Sequence, residues 1–436
     1  MQIVDKIDRP NFLSLTNTWI LCAILLVFAS LYGFSFERGS FNTMVGAATQ
    51  GMDSADPEGS AVIKAQNIAV YLLSLGCILP FIKPLWALLR RHAFVFSVLG
   101  WAILSIAWSD NPSTSAINSL RLIINLALVL YLFERYSAND IQKLVMLVGC
   151  VAAAGSILLV LVLPQYGLQS RGFYALGAWE GIFGQKNICG LEMLILLLPA
   201  FFVKLTGSHA NILRYGYIAT VLGIIAMTRS AGAWIITSLC LGFIALLKLM
   251  ARMAKKDAIV VAVVTISAVA VAGLIAAANF DTFMFALGKD PTMTGRTVIW
   301  ESLLRSALKR PVFGYGYLAF WQGHSGESRN LAMQLNLPNY ASAESGVLEL
   351  WLELGIVGVV LYGLVFFRAV KDAVYCFWQG ASPAALWYIC ILFYVAAANV
   401  EGGLLLTPSN LACILPFVAY VGLRREAQRV REGRMA

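Results

Sequence analysis

The stretch Thr292-Met-Thr-Gly-Arg-Thr-Val-Ile-Trp-Glu-Ser-Leu-Leu-Arg-Ser-Ala-Leu-Lys-Arg-Pro-Val-Phe-Gly-Tyr-Gly316 is a polar insert in an apolar chain. Trp300, Leu303, Leu304, Ala307 and Leu308 recur at helical spacing, which predicts a short amphipathic helix with one apolar stripe. Thr294 is the candidate N-cap, and Arg296, Glu301, Arg305 and Lys309 lie mostly off the stripe. Pro311 ends the helix, and Gly314-Tyr-Gly316 turns the chain behind it. Unbonded N–H groups and the macrodipole draw anions to a helix N-terminus. Arg296 at that end adds a planar fork suited to phosphate. The same pattern describes an interfacial anchor whose cations touch lipid headgroups, and the spacing leaves both readings open.

Outward from this insert, the chain reads as an all-α polytopic membrane protein. Of 436 residues, 59% are hydrophobic and 13% charged, against about 25% charged in soluble domains. Mean hydropathy is +0.76. Apolar runs long enough to span recur at 15–34, 65–83, 93–109, 116–133, 143–163, 188–204, 214–228, 231–248, 258–279, 347–367, 385–400 and 408–423, about twelve in all. Arg229 divides the seventh from the eighth. An even count puts both termini on one side, and with that side cytoplasmic 20 of the 32 Lys and Arg fall inside. The 280–346 segment is then a large periplasmic loop between spans nine and ten, a subdomain inserted in one transmembrane domain covering 1–436. The first run carries no cleavage site, so insertion is expected to begin with it.

The net charge of +9 sits at the ends of apolar runs, the pattern of topology signals rather than of a nucleic-acid stripe. Eight cysteines, nearly all inside apolar runs and at no metal-ligand spacing, read as small packing residues. The inner loops are short, so chemistry is expected on the outer face. Arg229 sits between two spans with almost no loop, as a snorkelling arginine or as the partner of an anion. Lys186 and Asn187 open span six, with Glu192 about one turn inside it. Glu349 and Glu353 share a face near the start of span ten, where carboxylates need a polar cavity or cations. Glu344 stands just ahead, and His324 is the one histidine of the outer loops. Cations of this kind suit a diphosphate leaving group, with a carboxylate or imidazole taking a proton from an acceptor hydroxyl.

Four segments, in order, resemble motifs of the O-antigen ligase and polymerase family. They are Gly181-Ile-Phe-Gly-Gln-Lys-Asn-Ile-Cys-Gly190, Thr228-Arg-Ser-Ala-Gly232, Thr294-Gly-Arg-Thr-Val-Ile-Trp300 with Pro311-Val-Phe-Gly-Tyr-Gly316, and Leu348-Glu-Leu-Trp-Leu-Glu-Leu-Gly-Ile-Val-Gly358. The resemblance implies a C-type, metal-independent glycosyltransferase of the bacterial inner membrane, with no cofactor. Its donor would be a glycan on undecaprenyl diphosphate, used at the periplasmic face. Its acceptor would be a lipid-linked repeat, for a polymerase of O-antigen or exopolysaccharide, or lipid A core, for a ligase. A chain-length regulator is a candidate partner. A transporter or flippase of lipid-linked glycans is the rival class. By the resemblance, Arg229 and Arg296 hold the diphosphate. Where the family has a histidine as the activating base, this chain has Glu344-Ser345. Glu344 or His324 is left to take that role, or no base is needed. Glu344 is the expected base; Lys186, Asn187, Glu349, Glu353 and His324 are expected to bind substrate.

Overall fold

The structure, a computed structural model, describes residues 15–30, 61–169, 176–278, 296–322, 326–334, 343, 345–399, 405–408 and 411–433. In chain order the helices are α1 (Leu15–Ser30), α2 (Ala61–Ile78), α3 (Ile82–Arg91), α4 (Ser97–Leu104), α5 (Pro112–Arg135), α6 (Ala138–Val162), α7 (Lys186–Leu197), α8 (Ala210–Met227), α9 (Ala231–Met250), α10 (Lys255–Ala278), α11 (Arg296–Lys309), α12 (Glu327–Gln334), α13 (Gly346–Trp378), α14 (Pro383–Ala398) and α15 (Leu411–Arg431). Each expected apolar run coincides with a helical segment. Among the described residues six helical segments are long and apolar enough to cross a membrane, α5, α6, α8, α9, α13 and the run Asn67–Arg90 through α2 and α3, and the helices 93–107 and 383–398 are shorter and apolar. Helices suit lipid because each backbone donor finds its acceptor within the same segment. The protein is therefore an all-α polytopic membrane protein.

Local chemistry sets several boundaries. Ser137 caps α6, its Oγ accepting from the Asp140 N–H at 3.2 Å. Ser382 caps α14 in the same way, with Pro383 at the first helical position.

The chain divides into two compact units. One holds Met1–Leu99, Ile117–Trp234 and Leu406–Gly422; the other holds Gly100–Ala116, Ile235–Leu405 and Leu423–Ala436. In the first, Gly149 on α6 leaves room for Tyr217 of α8. A Cβ there would fall 1.9 Å from the Tyr217 hydroxyl, which donates to the Leu196 carbonyl of α7 at 2.8 Å. One missing methyl thus lets three helices share a hydrogen bond. In the second, α11 packs on α13 through Ile299, Leu303 and Ala307, clustered with Tyr315, Phe320, Leu331 and Leu352. Leu304 and Leu308, expected on the apolar stripe, are exposed instead. The buried face is rotated toward Ile299 because α13 receives the helix there. Thr294 lies outside the described residues.

Candidate functional site

Within the first unit, two of the sequence motifs meet at the ends of three helices. α8 closes at Met227, and Thr228 folds its Oγ1 back on the Ile225 carbonyl at 2.6 Å. Arg229 follows with φ 49°, a left-handed conformation that costs a non-glycine residue roughly 1–3 kcal/mol. Ser230 then caps α9 by accepting from the Ala233 N–H at 3.3 Å. Thr228 and Ser230 are buried, whereas Arg229 is exposed. The turn spends its buried hydroxyls on its own backbone and presents the guanidinium outward.

α7 arrives at the same place. Gly190 approaches α9 so closely that a Cβ would fall 2.4 Å from the Ala233 Cβ. This contact explains the glycine of the Lys-Asn-x-x-Gly motif. Lys186, the first residue of α7, donates from Nζ to the Arg229 carbonyl at 3.5 Å. Gln185, at the N-cap of α7, makes no side-chain capping bond. Arg229 donates from Nη1 to the Leu176 carbonyl at 3.3 Å. Among the described residues no carboxylate pairs with Arg229 or Lys186. Cations near a helix start are the chemistry that suits an anion. Asn187 occupies the first turn of α7 at half burial, and Glu192 is buried one turn further, accepting from the Ala412 N–H.

Within the second unit, the other two motifs also meet, with the opposite outcome. α13 is broken at Gly355, where φ 68° and ψ −174° suit glycine alone. The break frees carbonyls before it and N–H groups after it, and each that follows is taken by another segment. The Leu352 carbonyl accepts from Tyr315 N–H at 2.8 Å, Glu353 from Gly316 N–H at 2.9 Å, and Leu354 from Trp101 Nε1 at 2.9 Å. The Ile356 N–H donates to the Pro311 carbonyl at 2.9 Å. The segment Pro311–Gly316 therefore substitutes for a missing helical turn. Its glycines are required by contact: a Cβ on Gly314 would lie 2.6 Å from the Glu353 carbonyl, and one on Gly316 2.3 Å from Ser109 Oγ. Trp108 Nε1 donates to the Phe313 carbonyl at 3.0 Å and the Asp110 N–H to Tyr315 O at 2.9 Å. Arg310 pairs with Asp110 at 2.6 Å and lies over the Tyr315 ring. Burial and the nearby Glu327 carboxylate push the Tyr315 phenol up to about 12, keeping it a donor to the Ser306 carbonyl at 2.9 Å.

Two carboxylates of α13, Glu349 and Glu353, lie beside this break. Glu349 is buried, with one oxygen on Trp321 Nε1 and the other on the Ala343 N–H at 2.7 Å. It ties the chain before α13 to the helix, so its contacts are those of a positioning residue. Glu353 is buried beside it and accepts from the Leu318 N–H, while its Oε1 has no hydrogen-bond partner among the described residues. Arg296 opens α11, with its side chain outside the described residues, where Glu344 and His324 also lie.

Two groups of polar residues escaped the sequence reading. Trp101, Trp108 and Ser109 clamp the Gly355 break, and their signal was a pair of indoles seven apart at the end of an apolar run. Asn118, Arg121 and Asn125 form a polar stripe at helical spacing on α5. The Arg121 guanidinium lies 5.9 Å over the Tyr71 ring and donates to Asn118 Oδ1 at 3.0 Å; Asn125 donates to the Pro408 carbonyl.

Residues 216–363 match the sequence profile of the O-antigen ligase family. Across 317 residues the chain is 25% identical to the exopolysaccharide production protein ExoQ of Rhizobium meliloti (strain 1021), covering 69% of this chain and 70% of that one. The matched profile takes in the Arg229 turn, α11 and the broken α13. The protein is thus a multi-pass membrane protein that is similar, over residues 216–363, to the O-antigen ligase family.

Proposed function

We propose that the protein is an inverting polysaccharide polymerase. It moves glycan repeats from undecaprenyl diphosphate to a hydroxyl of a lipid-linked acceptor, on the periplasmic face of the inner membrane, with both termini cytoplasmic. The acceptor oxygen attacks the anomeric carbon of the donor's reducing-end sugar. The bond from that carbon to the diphosphate oxygen breaks, and the electron pair leaves with undecaprenyl diphosphate. The hydroxyl proton passes to Glu344, with His324 the alternative base. Arg229 and Arg296 stabilise the charge developing on the leaving group, and Lys186 and Asn187 bind the same anion. Glu349 positions the segment that carries Glu344.

One observation carries this reading: Lys186, at the start of α7, reaches the backbone of the Arg229 turn, and neither cation pairs with a carboxylate among the described residues. A cation pair left open at a helix end supports an anionic substrate group. The similarity to an exopolysaccharide production protein favours polymerase. The description of the family as O-antigen ligases favours a second reading, transfer of finished chains to lipid A core.

The test is turnover of lipid-linked substrate by the purified full chain in detergent. Release of free undecaprenyl diphosphate together with longer glycans is expected, which also excludes transport. Unchanged output from both Arg229→Ala and Arg296→Ala would retire the mechanism. Cells without the gene should hold single-repeat glycans; full-length lipid-linked chains with bare core would select the ligase reading. Glycan-length profiles of Glu344→Gln beside His324→Ala identify the base.

A further inference from the structure

We propose that the first unit carries a binding groove for one anionic glycerophospholipid, at the membrane surface where α5 ends. The groove has a volume of about 630 Å³, within the roughly 300–1,000 Å³ of small-molecule sites. One face of α2 forms its length, through Ala69, Leu73 and Gly76 to Phe81, with Ile20 of α1 and Tyr131 of α5 opposite. At 1.5 Å per residue, Ala69 to Phe81 is roughly 18 Å. One leaflet of hydrocarbon is about 15 Å deep. The groove therefore has the length of one acyl chain running from mid-membrane to the surface. Beside Gly76 the slot is empty, for a Cβ there would meet nothing within 4 Å.

Charge at its end selects the headgroup. Arg135, the last residue of α5, holds its guanidinium 5.7 Å over the Phe81 ring, and Phe81 packs edge-on to Tyr131 at 5.2 Å. Its buried Nε has no hydrogen-bond partner among the described residues. Past Phe81 the chain enters α3, which buries Leu85 and Leu88, exposes Trp86, and carries exposed Lys83 and Arg90. An amphipathic helix with an exposed tryptophan and cations suits the end of a span at headgroup level. An apolar slot one leaflet long, ending in cations at headgroup level, fits an acyl chain below and a phosphodiester above. With the termini cytoplasmic, as in the topology proposed above, this is the inner leaflet. The groove is then separate from the donor's diphosphate at the outer face.

The purified full chain is titrated in detergent with dioleoyl-phosphatidylglycerol or dioleoyl-phosphatidylcholine, and bound lipid is counted by native mass spectrometry. One phosphatidylglycerol per chain is expected, bound at least tenfold more tightly than phosphatidylcholine. Arg135→Gln should abolish the preference, and Gly76→Phe should abolish retention of both by filling the slot. Leu73→Trp fills the same slot from a neighbouring position, should Gly76→Phe fail to fold. Equal binding of the two lipids, wild-type retention in the filled variants, or displacement of phosphatidylglycerol by a polyprenyl phosphate would each overturn the proposal.

Discussion

The turn at Arg229 and the break at Gly355 are built from similar materials and end in opposite states. Each joins two family-like motifs, each needs a glycine at a close contact, and each holds a residue in left-handed backbone. At Gly355 the freed carbonyls of Leu352, Glu353 and Leu354 are all answered by donors from other segments, and Glu349 has both oxygens occupied. At Arg229 the hydroxyls are occupied, while the cations and the first N–H groups of α7 have no anionic partner among the described residues. Polar groups in an apolar setting must be satisfied by protein or by ligand. The Gly355 break meets its freed backbone groups from within the protein, whereas the Arg229 turn leaves its cations without a carboxylate among the described residues.

The sharpest way to break the comparison is Gly355→Ala. The substitution forces alanine into glycine-only backbone and drives its Cβ to 2.0 Å from the Val312 carbonyl. A loss above about 4 kcal/mol is expected, and so little folded protein, because strain and clash act together. Fluorescence-detected size exclusion of the extracted protein reads this out. Arg229→Ala should do the reverse: a normal elution profile with turnover down about 10²–10³-fold, the magnitude lost when one preorganised charge-stabilising donor is removed. Normal turnover in that variant would mean that the open cation is not catalytic.

How much of this was legible in the sequence follows the same division. The helices were legible because lipid demands long apolar runs, and Arg229 was read as the divider of spans seven and eight because a charge cannot sit mid-run without a reason. Lys186 and Arg229 were singled out for the same cause. The docking of Pro311–Gly316 on the α13 break was not legible. It depends on backbone hydrogen bonds between residues some 40 positions apart in sequence, which leave no periodicity. The contacts of Glu349 were hidden for the same reason: a carboxylate on a span looks alike whether it faces substrate or the Ala343 N–H. Leu304 and Leu308 show the limit of a stripe argument, since spacing gives a face and only the partner helix fixes its rotation.

A milder test of the scaffold is Glu349→Gln. The amide keeps one acceptor but turns its NH₂ toward either Trp321 Nε1 or the Ala343 N–H, leaving a buried donor facing a donor. A cost of about 1–3 kcal/mol is expected, seen as a lower melting temperature in detergent. Trp321→Phe in the same background should add little, because the partner bond is already lost. Full additivity of the two would mean that Glu349 and Trp321 do not act as a pair.

The smallest effect sharpens the open side. Lys186→Gln removes the charge and keeps an NH₂ donor on a side chain one atom shorter, and the bond it stands to lose is a long one, 3.5 Å to the Arg229 carbonyl. The turn should therefore fold as before. What is lost is one of two charges beside the α7 start, worth roughly 1 kcal/mol at a partly exposed site, or about three- to tenfold in apparent affinity for the donor. That loss should shrink as salt rises, because screening acts on the charge and not on the hydrogen bond. A salt-independent defect would show that Lys186 serves the turn alone, and the anion site would then rest on Arg229 and the helix start.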